Sequence, residues 1–236
     1  MLPSQATIPR DKYVLYGPAG DEVAKMSDMW IAPFSPLILK TKLPPELLAL
    51  LVEGTDELLS NEALCDQYAE QSPVLYDVSK RVELPESVMD GRLHAFAHIQ
   101  QVCTRYIHGV FESLGGKDFV GGLEPTDAQA LIEVAWINVQ RAGDFVPIHK
   151  HSSDLSGALY LKVPENMTGA TGMGGQITFV DGRSQQLVRD KISFTPEAGD
   201  IFVFPGWLSH TVHPFRGEGE RRMMSFNGII AFPADQ

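Results

Sequence analysis

From Pro125 onward the chain breaks into short β-prone runs divided by Gly, Pro and polar turns: Ile132 to Val139, Ser156 to Val163, Gln176 to Val180, Lys191 to Phe194, Asp200 to Phe204 and Arg221 to Ala231. Strands this short and closely spaced bury their apolar faces only by closing on one another, which predicts a sandwich or barrel. The residues before them read differently. PPELLALLVEGTDELLSNEAL opens on prolines suited to a first helical turn and continues as a leucine stripe, so a helix is expected from about 44 to 60. A second is expected from about 87 to 114, where Leu93, Phe96, Ile99, Cys103, Tyr106, Val110 and Leu114 recur by threes and fours before Gly115-Gly116. That stripe should pack on a sheet. Residues 1 to about 42 mix Pro, Gly and β-prone stretches such as Lys12 to Tyr16, which suggests an extended arm or an added strand. The expected class is mainly β with a helical N-terminal half (α+β). Residues 1–125 form an arm and supporting helices of the same domain, and 126–236 form the β-rich core, with the helices packed on one sheet.

With 236 residues the chain is long enough for one well-buried core. Its formal charge of -11 disfavours a generic nucleic-acid or anionic-membrane binder, because such binding needs a basic surface. Cys65 and Cys103 form no CxxC pair, so reduced thiols are expected rather than a disulfide framework or a structural zinc. No segment reads as a signal peptide or a membrane-spanning helix, and a soluble cytoplasmic protein is expected. Homodimerisation stays open.

Within the β-rich half, FVPIHKHSSDLSGALYL places His149 and His151 two apart, and strand alternation puts both imidazoles on one face. About sixty residues later AGDIFVFPGWLSH brings a third imidazole, His210, just past a Pro-Gly-Trp break. Three imidazoles on one side of a divalent iron leave positions open for a cosubstrate and dioxygen, which a closed four-ligand site would not. Further on lies Arg221, followed by Met223, Ser225 and Asn227 on the same strand face; a guanidinium there can grip a carboxylate with two prongs. Arg222 competes for that role, since a one-residue slip reverses the faces. Three more histidines, His94, His98 and His108, fall on the flank of the second helix opposite its apolar stripe, where solvated polar residues belong.

Taken together, the stretch AWINVQRAGDFVPIHKHSSDLSGALYL, a glycine turn before Ile177-Thr178-Phe179, and PEAGDIFVFPGWLSHTVHPFRGEGERRMMSFN resembles the 2-oxoglutarate and iron(II)-dependent oxygenase superfamily. The similarity is to its prolyl-hydroxylase-like branch and, more narrowly, to a bacterial and phage group of oxygenases with an HxH motif. It runs from Ala135 to Asn227. The resemblance implies a double-stranded β-helix, or jelly roll, that holds Fe(II) at one open end and uses 2-oxoglutarate and O2, with His149 and His210 as ligands. It also implies that Arg221 binds the distal carboxylate of 2-oxoglutarate, with Tyr160 adding a hydroxyl and Asn138 as a further cosubstrate candidate. The superfamily at large has HxD or HxE, so His151 stands where a carboxylate is usual. Asp154 is the alternative third ligand, if a bend at Ser152-Ser153 returns it to the site.

The implied activity is oxidation, as a hydroxylation, of a small-molecule or peptide substrate with release of succinate and CO2. A three-histidine cupin-like dioxygenase or isomerase also has HxH and a distant histidine, but it has no need of an arginine at this spacing. A non-catalytic jelly-roll binding module is the other alternative. The small-residue loop from Met167 to Gly175 and the helical half are expected to shape the substrate pocket.

Overall fold

A computed structural model of the chain describes residues 29–31, 36–74, 77, 79–85, 92–118, 120–121, 123–165, 167, 174–182 and 190–232. The strands among them assort into two antiparallel sheets. The larger runs, in spatial order, β1 (Met29–Ile31), β2 (Ile38–Lys42), β10 (Asp200–Pro205), β7 (Leu155–Lys162), β12 (Arg221–Ala231), β5 (Gln129–Gln140), β4 (Lys80–Glu83) and β3 (Ala69–Glu70). The smaller is β6 (Val146–His149), β11 (Ser209–Val212), β8 (Ile177–Val180) and β9 (Lys191–Phe194).

The central strands of the large sheet are apolar on both faces, as strands covered on two sides must be. Alternation sorts their side chains between two cores. On the inner face Phe202 and Phe204 of β10, Ala158 and Tyr160 of β7 and Met223 of β12 meet Ile177 and Phe179 of β8, Val146 of β6 and Val212 of β11. On the outer face Ile201, Val203, Leu159, Leu161, Met224 and Phe226 meet the helices. These are α1 (Pro45–Ser60), α2 (Glu62–Gln67) and α3 (Leu93–Ser113).

The prolines predicted to open α1 do so: Pro44 precedes it and Pro45 occupies its first turn. At its far end the Asn61 side chain accepts a hydrogen bond from the Leu64 N–H (3.1 Å) and thereby starts α2, a helix the leucine pattern did not separate. Along α3, Phe96, Ile99, Cys103 and Tyr106 are buried as the stripe requires. Leu114, counted in that stripe, lies beyond the helix and is 45% exposed, and Gly115 then turns the chain with a φ of 116°. The expected start of this helix, residues 87–91, lies outside the described residues, as do most of the expected N-terminal arm and most of the loop from Met167 to Gly175. The part of the arm that is described forms β1 and β2, strands added beside β10.

The described part of the first half combines its helices with the added strands β1 and β2 that the arm was expected to supply, and two further strands, β3 and β4, also join the large sheet. β3 and β4 were not legible: two and four residues, with charges in Glu70, Lys80, Arg81 and Glu83, show too little alternation. The chain as a whole is mainly β.

Two devices lock the layers. Arg222 points to the outer face, where its guanidinium donates to Thr55 Oγ1 and pairs with Asp56 of α1 (2.8 Å each). Gly157 on β7 leaves room for the Phe226 ring, whose Cζ would stand 2.0 Å from a Cβ added there. Replacing Gly157 with Val should therefore expel that ring and cost about 1–3 kcal/mol of stability, as overpacked cores do; a thermal melt unchanged from wild type would contradict this packing.

Candidate metal centre

Three imidazoles converge at one end of the space between the sheets. His149 is the last residue of β6, and His210 of β11 sits directly opposite it in the antiparallel register. Their ring centroids are 4.2 Å apart. His151 joins them at 5.1 Å from His149 and 5.3 Å from His210, and one potential ligand atom from each ring lies within 4.8 Å of the others. Strand alternation does not account for His151, because β6 ends two residues earlier. Instead its backbone N–H donates to Gly206 O (2.8 Å), and the Gly206 N–H donates to Asp154 O (3.2 Å). The turn after HxH is thus tied to the turn before His210. Gly206 makes this possible: a Cβ there would come within 2.1 Å of Ser153 O.

The rings are pre-oriented. The Nδ1 of His149 lies 2.8 Å from Pro147 O and that of His210 lies 3.0 Å from Leu208 O, so each Nδ1–H donates to a carbonyl and leaves Nε2 with a free lone pair. Backbone acceptors on the non-ligating nitrogen are what orient metal-binding histidines. Burial, with the neighbouring His149, drives His210 down to about 3; burial, then His149 and Arg81, drives His151 down to about 4. Burial also lowers His149. At neutral pH all three are uncharged and able to ligate.

Other predicted residues fall as follows. Asp154 is engaged elsewhere: its Oδ2 accepts from the Ile230 N–H at 2.9 Å, and it is not in the clustered group. Asn138 is buried, lines the cavity around the histidines and donates from Nδ2 to Ser225 Oγ (3.1 Å). Arg221 and Arg222 part ways, with Arg222 on the helix side and Arg221 on the inner face that Met223, Ser225 and Asn227 share. Arg221 is fully buried and meets only neutral oxygens: Gln140 Oε1 at 2.7 Å, His213 O at 2.8 Å, Gly175 O at 3.1 Å and Asp144 O at 3.5 Å. No carboxylate pairs with it among the described residues, and burial lowers its pKa. Tyr160 is also fully buried, its hydroxyl has no partner, and burial raises its pKa despite the Arg221 charge nearby. Neither lines the cavity of ≈ 350 Å³ that holds the histidines; Met223, beside them on the sheet, does.

Of the other histidines, His213 bonds Thr178 (2.9 Å), His108 bonds Ala128 O (2.8 Å), and His94 is exposed. None of these, nor His98, belongs to the cluster. Sequence reasoning missed Gln140, which holds the Nε edge of Arg221 and in turn donates to Ser79 Oγ (2.8 Å). Its position directly across from Arg221 was readable only with the β5–β12 register in hand.

Residues 134–227 match a family model described as "Putative 2OG-Fe(II) oxygenase". Over that stretch the chain is similar to 2OG-Fe(II) oxygenases. The stretch runs from β5 to Asn227 and contains the three histidines, Asn138, Gln140, Tyr160, Arg221 and Arg222. A comparison with curated proteins finds no match. Solved structures share this fold at low identity. A prolyl hydroxylase from Trichoplax adhaerens, in complex with a hypoxia inducible factor oxygen degradation domain peptide fragment, is 10% identical with a TM-score of 0.52, covering 81% of this chain and 82% of its own. AviO1 from Streptomyces viridochromogenes Tue57 is 17% identical with a TM-score of 0.51, covering 84% and 91%. SnoK, a non-heme alpha ketoglutarate dependent carbocyclase from nogalamycin biosynthesis, is 11% identical with a TM-score of 0.51, covering 83% and 81%.

The family implies an oxidoreductase using Fe(II), 2-oxoglutarate and O2, and the residues present fit both partners. Neutral imidazoles suit borderline divalent iron. A buried guanidinium without a counter-ion, beside an orphaned hydroxyl, suits an anion that accepts hydrogen bonds. Among the described residues, no helix is long and apolar enough to cross a membrane.

The depressed imidazoles set an acid limit. Their folded pKa values lie below the ordinary 6.5, so the unfolded chain takes up protons that the fold refuses once pH drops below that value. Melting temperature of the metal-free protein should be level above pH 6.5 and fall steadily toward pH 4. A slope across that window that is shallower in His210→Asn than in wild type assigns part of the effect to this cluster.

Proposed function

We propose that this protein is an Fe(II)- and 2-oxoglutarate-dependent dioxygenase that hydroxylates a small molecule or peptide, with His149, His151 and His210 as the metal ligands. The observation that carries the reading is the pairing of a three-imidazole cluster with a buried, carboxylate-free Arg221 on the inner face of one strand. We read the two sheets as a double-stranded β-helix with the metal at its open end, and residues 126–236 as the catalytic core of one domain that residues 1–125 support.

When bound, the iron and 2-oxoglutarate supply oxidative decarboxylation to succinate and CO2 and, with O2, an oxidant for a substrate C–H bond. The chain's part is placement. Arg221 and the Tyr160 hydroxyl take the distal carboxylate, which converts an unpaired buried charge and an orphaned donor into charge-assisted hydrogen bonds. Gln140 and the carbonyls of Gly175 and His213 hold the guanidinium in place beforehand. Met223, unbranched and adaptable, must yield for the cosubstrate to reach that end. Asn138, lining the cavity beside Ser225, is placed to hydrogen-bond the cosubstrate nearer the metal.

With three neutral imidazoles and no carboxylate ligand, the 2+ charge of a bound iron would be met only by the cosubstrate's proximal carboxylate, since Arg221 takes the distal one. That strengthens the cosubstrate's electrostatic hold in a water-poor site. A three-histidine cupin-like enzyme without cosubstrate would leave Arg221 buried with nothing to neutralise, and a binding module would have no use for pre-oriented Nε2 lone pairs.

Anaerobic addition of Fe(II) and 2-oxoglutarate to the metal-free protein should produce a visible metal-to-ligand charge-transfer band; iron binding without such a band would overturn the reading. His151→Ala should abolish iron binding at concentrations that saturate wild type, whereas Asp154→Ala should bind iron normally, both measured by metal titration. Arg221→Gln and Tyr160→Phe should raise the 2-oxoglutarate midpoint of the band, by roughly 10- to 100-fold for the arginine, the size of a lost charged hydrogen bond of about 1.5–3 kcal/mol.

A further inference from the structure

Part of the wall of the metal cavity comes from outside the strands of residues 126–236. Ser72, Pro73, Val74 and Asp77 of the β3–β4 connection and Arg81 of β4 line the same space as the three histidines. Arg81 is held in two ways. Its guanidinium lies over the Trp136 ring, Cζ to centroid 3.9 Å, and its Nε donates to Glu70 Oε2 (2.9 Å) across the β3–β4 pair. One face and one edge are thereby fixed, and the described bonds use Nε alone.

The same Trp136 ring stands 6.0 Å from the His151 ring, so no more than these two steps separate the guanidinium from the metal cluster. Arg81 shares the cavity with the Asp77 carboxylate and the Lys150 ammonium, and the guanidinium edge that Glu70 leaves over can meet a second anion there. The cosubstrate's distal carboxylate is already matched by Arg221. The cross-strand pair with Glu70 explains one edge of Arg81 but not its stacking toward the cavity.

We propose that Arg81 is a specificity-determining residue that anchors the carboxylate of a small carboxylic-acid substrate, of the size of a free amino acid, with the rest of the substrate directed at the metal. The size follows from the cavity: ≈ 350 Å³ is at the low end of ligand pockets, roughly 300–1,000 Å³, and the cosubstrate takes part of it. A planar guanidinium stacked on an indole presents parallel N–H donors that match a carboxylate and match a neutral amide poorly. This inference rests on the oxygenase reading for what the metal does with the substrate, but not for binding.

The test is calorimetric titration of the full chain with the twenty standard L-amino acids and their α-carboxamides, with and without Fe(II) and 2-oxoglutarate under anaerobic conditions. At least one free acid should bind at least tenfold tighter than its amide. Arg81→Gln should erase that preference, Arg81→Lys should restore part of it, and both should leave the 2-oxoglutarate midpoint within twofold of wild type. No acid binding in preference to its amide, or a preference that survives in Arg81→Gln, overturns the proposal. A variant that loses 2-oxoglutarate instead also overturns it and assigns Arg81 to the cosubstrate. Because acid binding is read as heat, absence of the charge-transfer band would sink the oxygenase reading without silencing this measurement.

Discussion

The centre of this molecule rests on one register: His149 of β6 faces His210 of β11 across an antiparallel pair. Two rings brought to 4.2 Å would repel if protonated, so the pair persists only because burial keeps them neutral. Everything near them serves that condition. Phe179 and Phe204 stand against the His210 ring, and backbone carbonyls satisfy each buried Nδ1. The third ring is then added by tying two turns together rather than by extending a strand.

The large sheet extends the same economy of position to charge. Adjacent residues on β12 point to opposite faces, and the protein places an arginine at each of two successive positions. One serves the helix layer through Thr55 and Asp56; the other is buried among neutral oxygens on the metal side. A buried cation without an acidic partner is costly on its own. It makes sense as one half of a contact whose other half arrives with a ligand.

Much of this was legible beforehand, for identifiable reasons. The imidazole trio and Arg221 stood out because their spacing on β-prone runs already implied a shared face, and α1 and α3 because their apolar stripes are long. What escaped depended on contacts distant in sequence. The β3–β4 pair is too short and too charged to show a period, so Arg81 gave no sign of reaching the cavity. Gln140 gains meaning only opposite Arg221. His151 was expected to join by strand alternation; it joins through a hydrogen bond to Gly206, a turn residue whose lack of a side chain no periodicity describes. The parity that Arg221 shares with Ser225 and Asn227 was legible in the sequence; that Arg222 meets a helix on the other face was not.

The adjacency of Arg221 and Arg222 carries a consequence for how such a chain can vary. Residues 213–215 are hydrogen-bonded to Gln176, Gly175 and Gly143, but from there to Arg221 the backbone runs through an irregular stretch whose length is not set by any sheet pairing. Residues can be gained or lost there so long as β12 re-enters the sheet in phase. A change that shifts the strand by one position would exchange the two arginines, leaving the helix layer with the wrong geometry and the metal side with a side chain cut for a different partner. The loop is free in length, and the strand is not free in parity.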